Sequence, residues 1–175
     1  MSRLVSLTTR KANDAASTAE TEIALFVFEH AALEAPIRLS TDPTERLSDS
    51  PLMYGTRSTW QGADPATDPY LFVLASAEVP GDLEDGPGPA TIVLENVDND
   101  IIAVLRSITD RATVHMAVVL ASSPDLVELE FLGLKLISAD YDAAQITLSI
   151  SRQPIEDEAV PSARFTKDRF PGLFK

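Results

Sequence analysis

Residues 112–151 read ATVHMAVVLASSPDLVELEFLGLKLISADYDAAQITLSIS, and this stretch decides the fold class. In its first third, Val114, Met116, Val118 and Leu120 recur at every second position, the period of a strand with one buried face. At its end Ile146, Leu148 and Ile150 point one way and Thr147, Ser149 and Ser151 the other. The middle third carries the most information. Val127, Leu129 and Phe131 alternate with Glu128 and Glu130, and then Leu132, Leu134 and Leu136 take over the opposite parity. A strand whose buried face changes side contains a bulge or a sharp bend, and Gly133 is the natural place for it. Asp140-Tyr-Asp-Ala-Ala144 then turns a hairpin.

Working outward, residues 98–108 switch to helical spacing behind an Asp/Asn cap, and the pattern predicts a helix at about 99–109. Strands are expected over 90–97 and 70–78, separated by the Pro/Gly-rich residues 80–89. Residues 42–69, dense in Asp, Pro, Ser, Thr and Gly, read as irregular, with a strand around 53–60. Residues 36–41 fit a short strand. The run Glu22-Ile-Ala-Leu-Phe-Val-Phe-Glu29 is apolar at both parities, which predicts a strand covered on both faces. Residues 2–19 read as a short amphipathic helix, and 154–175 show no period. The expected fold is mainly β, a sandwich or barrel with one packed helix and an extended C-terminal tail. Its divisions are an N-terminal helix or arm (1–20), a β-rich core (21–155) and a docking tail (156–175).

The chain has 175 residues, 45% of them apolar, enough to bury a core without staples. It has no cysteine, which excludes disulfides, thiolate zinc sites and cysteine-held iron–sulfur clusters. A net charge of −13 repels phosphates and anionic lipid, so specific nucleic-acid binding is not expected. Arg3, Arg10 and Lys11 are followed by no apolar run, so no export signal is visible, and no stretch is long enough for a membrane helix.

Chemistry has few places to reside. His30 and His115 stand outside any local catalytic pattern, and both read as structural. The oxygen-rich Glu95-Asn-Val-Asp-Asn-Asp100 invites a calcium reading, but an EF-hand pattern begun at Asn96 puts Ile101 in the glycine place. Asp98 and Asp100 fit better as first-turn acids of the following helix. Glu156-Asp-Glu158 reads as a solvated turn. Trp60 suits a core or interface anchor. The expectation is no catalytic residues, no metal and no cofactor. The ending is different: Phe165, Phe170, Pro171, Leu173 and Phe174 lie among Arg164, Lys167 and Arg169. Aromatics with arginine are the composition of interface hot spots, so Arg164, Phe165, Arg169, Phe170, Pro171, Leu173 and Phe174 are the candidate interface. The alternative is that the tail folds back over its own domain.

Three features carry a family resemblance: an apolar strand followed by Pro36-Ile-Arg-Leu39, the segment Leu94-Glu-Asn-Val-Asp98, and the ending Arg164-Phe-Thr-Lys-Asp-Arg-Phe-Pro-Gly-Leu-Phe174. Over most of its length the chain resembles the phage and prophage minor tail proteins classed as domain of unknown function 1833. The ending is the most specific part, and the 42–69 loop is longer and more polar than that pattern. The resemblance implies a virion component of a long-tailed bacteriophage, assembled in the host bacterial cytoplasm. It would be a structural tail-tip subunit, a distal-tail or upper-baseplate-hub protein. Partners would be copies of itself in a trimeric or hexameric ring and the neighbouring tube, hub or tip proteins. The acidic surface would line the channel or face outward. The rival is a carbohydrate- or receptor-binding β-module of a tail fibre, for which only Trp60 and Tyr54 offer aromatic platforms. A wall hydrolase lacks a catalytic set.

Overall fold

The computed structural model describes residues 2–3, 5–78, 82–83, 86–87, 90–95, 111–142, 145–151 and 172. In chain order the elements are β1 (Ser2–Arg3), α1 (Leu7–Asp14), β2 (Glu22–Glu29), β3 (Ile37–Ser40), β4 (Glu45–Asp49) and β5 (Leu52–Thr56). A 3-10 turn (Trp60–Gly62) precedes β6 (Tyr70–Phe72), β7 (Leu74–Glu78), β8 (Asp82–Leu83), β9 (Gly86–Pro87) and β10 (Ala90–Glu95). Last come β11 (Thr113–Leu120), β12 (Ser123–Tyr141) and β13 (Gln145–Ser151). The expected mainly β architecture is what the chain adopts. The helix expected at 99–109 and the tail 156–175, apart from Gly172, lie outside the described residues.

The main sheet runs β4-β5-β6-β3-β2-β11-β12-β13-β10-β7. Its two flanks are joined through one residue, Val73, because β6 and β7 are halves of a single extended stretch. Leu71, Val73 and Ala75 of that stretch all belong to one apolar cluster, so the pleat passes through Val73 without a break. The first half bonds to β3, extended by Val73 N–H to Ser40 O at 2.8 Å, and the second half bonds to β10. The sheet therefore closes on itself as a barrel. Its interior is filled by Phe26 and Phe28, Leu39, Val73, Ile92 and Leu94, Val114 and Met116, Phe131 and Leu134, and Ile146, Leu148 and Ile150. Every wall strand contributes to that interior.

A second cluster lies on the outside of the same wall. Ile23, Leu25 and Val27 of β2 and Ala117 and Val119 of β11 pack there under Trp60, Ala63 and Tyr70. This outer layer explains why residues 22–29 are apolar at both parities: even positions fill the barrel and odd positions meet the cover. It also extends the reading of 113–120, where Val114, Met116, Val118 and Leu120 do share a face and Ala117 and Val119 are buried behind it. The stretch 42–69, read from sequence as mostly irregular, supplies the cover from residue 57 onward, completed by Tyr70. It forms the hairpin β4–β5, with a bulge between Arg46 and Ser48, and then the 3-10 turn.

Beyond an irregularity where Leu120 pairs Ser123 and Val119 pairs Val127, β12 carries three single-residue bulges. Val119 pairs Val127 and Val118 pairs Leu129, which leaves Glu128 as an extra residue. Met116 pairs Phe131 and Val114 pairs Leu134, placing the expected bulge at Leu132–Gly133, with Gly133 at φ +67°. Leu136 pairs Ile150 and Ser138 pairs Ser149, so Ile137 is the third. Val127 is consequently not on the face of Leu129 and Phe131, as its parity suggests; it packs on the outer cluster. At the N-terminus the helix expected over 2–19 shortens to Leu7–Asp14, preceded by a two-residue strand on β12. No described helix is long and apolar enough to cross a membrane.

Candidate functional site

The polar groups with the most developed surroundings fasten the outer cover to the barrel wall. Arg38, on the outer face of β3, is buried beneath the cover. Its Nε donates to Asp68 Oδ2 at 2.6 Å and its Nη2 to the Gln61 carbonyl at 3.3 Å. Its guanidinium carbon lies 5.7 Å from the Tyr70 ring centroid, a cation–π placement. Gln61 has a left-handed backbone, φ +52°, held between that bond and Gly62. Tyr70 Oη donates to the Trp60 carbonyl at 2.6 Å, and burial pushes the phenol pKa up to about 12 against the lowering effect of Arg38. Trp60 is buried, and its indole N–H donates to Glu130 Oε1 at 2.9 Å.

A second clasp joins the same cover to the start of β12. Asp125 Oδ1 accepts from Thr59 N–H at 2.7 Å, Thr59 Oγ1 at 2.9 Å and Ser58 Oγ at 3.2 Å. The Thr59 backbone bond, then its side chain, hold the Asp125 carboxyl below the usual carboxylate range. The third clasp is N-terminal. Ser6 caps α1 by accepting from Thr9 N–H, and its own N–H donates to Glu128 Oε2 at 2.7 Å. Glu128 is buried at the bulge, so the sequence signal for a solvent-facing glutamate was misleading here. Burial raises its pKa, but hydrogen bonding from Ser6 and Thr9 outweighs that and leaves it lowered.

The histidines are placed as parts of the frame. The Gly133 N–H donates to His115 Nδ1 at 3.2 Å, so the neutral ring carries its proton on Nε2, which faces Glu29 Oε2 at 3.6 Å. His115 thus satisfies an amide that the bulge removes from the ladder. His30 Nδ1 accepts from Ala32 N–H at 3.1 Å within a turn. Among the described residues no three His, Asp or Glu side chains converge as metal ligands. Glu95 ends β10 in solvent, while 96–100 and Glu156–Glu158 lie outside the described residues. So do the expected interface residues Arg164, Phe165, Arg169, Phe170, Pro171, Leu173 and Phe174; Gly172 between them is exposed.

What the sequence did not signal is an exposed apolar strip. β5 pairs β6 with Gly55 opposite Leu71 and Thr56 opposite Tyr70. Residues opposite one another share a face, so Tyr54 and Leu52 face outward as Phe72 and Leu74 do. All four are exposed. The strip continues the outer face beyond Tyr70, where the cover ends. In sequence its residues sit in two short apolar runs, Leu52-Met-Tyr54 and Phe72-Val-Leu74, and the β5–β6 register sets them on one face. Of the two aromatics that a ligand platform would use, Tyr54 is exposed and Trp60 is not. No protein-family model matches the chain, and a search of curated proteins finds no match.

Proposed function

We propose that the chain is a non-enzymatic structural subunit of a long-tailed phage tail tip, a distal-tail or hub component that works by packing against copies of itself and neighbouring tail proteins. The observation that carries the assembly role is the strip Leu52, Tyr54, Phe72 and Leu74, an apolar continuation of an outer layer that is buried elsewhere. Contiguous apolar surface of this kind marks an interaction site. The location in a virion rests on the resemblance of the ending and of residues 36–39 and 94–98 to phage minor tail proteins. Among the described residues, the clusters around Arg38, Asp125 and Glu128 fasten the chain to itself, which suits a part whose task is shape. The net charge of −13 suits a conduit, since a wall that repels phosphates does not hold passing DNA. Mass spectrometry of purified virions, with antibody or tag labelling along the tail, tests the reading. Detection at the distal end supports it; absence from particles, or a place on the capsid, overturns it.

A further inference from the structure

β12 is longer than its partner. Among the described residues β13 pairs with it from Lys135 onward, and the edge of residues 123–134 on that side is met at Leu129 and Glu130 by Arg3 and Ser2. The arm on this edge has few anchors among the described residues. Beyond β1, its anchors are the Ser6–Glu128 bond and Thr9, the one buried residue of α1. It joins β2 through Ala15–Thr21, in which all residues but Glu20 are exposed. Glu20 and Thr21 are tied to the barrel by Ser122 and the Ala121 N–H, while Ala15 and Thr18 make local bonds, to the Ala12 carbonyl and from the Glu20 N–H. Residues 15–19 make no bond to the barrel among those above and span about 17 Å when extended. Leu7 on the arm, and Leu126 and Leu132 on either side of the docking site, stand exposed.

We propose that residues 2–9 dock on the β12 edge of a neighbouring copy, so that subunits are linked by exchanged N-terminal arms. The occupant is a second copy of this chain, because the edge and the Glu128 carboxylate already fit the arm's own register. Exchange costs no new contact and needs only that the linker cross to the adjacent subunit, the low-cost route to closed oligomers. The approach of two copies then buries Leu7, Leu126 and Leu132, which a self-docked arm leaves in water. This deepens the reading of the chain as a self-assembling tail subunit and depends on it.

The absence of cysteine gives a direct test in the full chain. Ser2 lies opposite Glu130 and Arg3 opposite Leu129. Mixing an S2C chain with an E130C chain under mild oxidation should give a disulfide-linked heterodimer mapped to those two peptides. The double variant should give a ladder that closes at the native oligomer. The pair Arg3→Cys and Leu129→Cys leaves the Trp60–Glu130 bond intact and should behave alike. Double variants that run as internally closed monomers, or that form no disulfide at all, overturn arm exchange. Light scattering on the unmodified chain separates the two ideas: an oligomer with internally closed disulfides keeps the ring and removes the exchange, whereas a monomer removes both.

Discussion

Glu128 is a carboxylate buried against the N-terminus of α1, so its proton decides how firmly the arm is held. Its folded pKa is lowered, hence its contribution is fully present above the ordinary carboxylate range and disappears as pH falls through the folded value. The charge-assisted bond to Ser6 N–H contributes on the order of 1–2 kcal/mol locally. Hydrogen exchange should show protection at residues 6–9 at neutral pH that is lost in acid before the barrel strands open. Glu128→Gln should lose most of that protection at neutral pH and show little further change on acidification; an unaltered acid profile would mean another group holds the arm. Tyr70 works with the opposite sign. Its phenol is raised to about 12, so between the unfolded value of about 10 and that figure the unfolded chain ionises first. Stability should fall by roughly 2 kcal/mol across that window and level off above it. Tyr70→Phe should flatten the alkaline loss in urea titrations and cost about 1 kcal/mol at neutral pH through the missing bond to the Trp60 carbonyl.

At the scale of elements, two glycines with positive φ separate strain from space. Gly133 sits at φ +67°, and a Cβ there meets nothing within 4 Å. Gly133→Ala should therefore cost only the left-handed backbone, about 1 kcal/mol, measured as a shift in the urea midpoint. At Gly55 a Cβ would stand 1.9 Å from the Tyr70 carbonyl oxygen, a clash with backbone that no side-chain rotation relieves. Gly55→Ala should separate β5 from β6, costing several times as much and exposing amides at 55–56 and 70–71 to exchange. Equal costs would refute the distinction. The bulge at Gly133 was legible because Leu132, Leu134 and Leu136 reverse the parity of Leu129 and Phe131 beside a glycine. The bulges at Glu128 and Ile137 were not, because each keeps an unremarkable local pattern and is defined by which residue of the neighbouring strand lies opposite. The doubly apolar 22–29 announced that something covers it, without saying what. The cover, 57–70, is polar in sequence and buries only Trp60, Ala63 and Tyr70 among its apolar residues, fastened by Arg38 and Asp125 from distant strands. Long-range polar pairs of that kind leave no local period. The exposed strip is equally silent, since Leu52, Tyr54, Phe72 and Leu74 alternate as half-buried strands do and only the end of the cover leaves them bare.

For the whole molecule, the described strands form the barrel. Its wall and interior come from residues 22–151, and each wall strand has a partner on both sides through the closure at Val73. The charge of the ending opposes that of the chain as a whole: four cations against a single side-chain carboxylate, on a chain of net charge −13. A segment that is cationic and aromatic, attached to an acidic body, suits use between molecules, with arginines giving orientation and phenylalanines giving affinity. Deleting residues 163–175 should therefore leave the far-UV circular dichroism β-dominated and the urea midpoint within the range of a surface change, about 0.5 kcal/mol. The same deletion should abolish incorporation into particles, and in the intact chain the association that depends on the ending should weaken with added salt, as screening at about 10 Å and below would impose. The opposite pattern has an equally definite meaning. If the shortened chain aggregates or melts early, the phenylalanines cover its own strip at Phe72 and Leu74, and the tail belongs to the domain rather than to its neighbours.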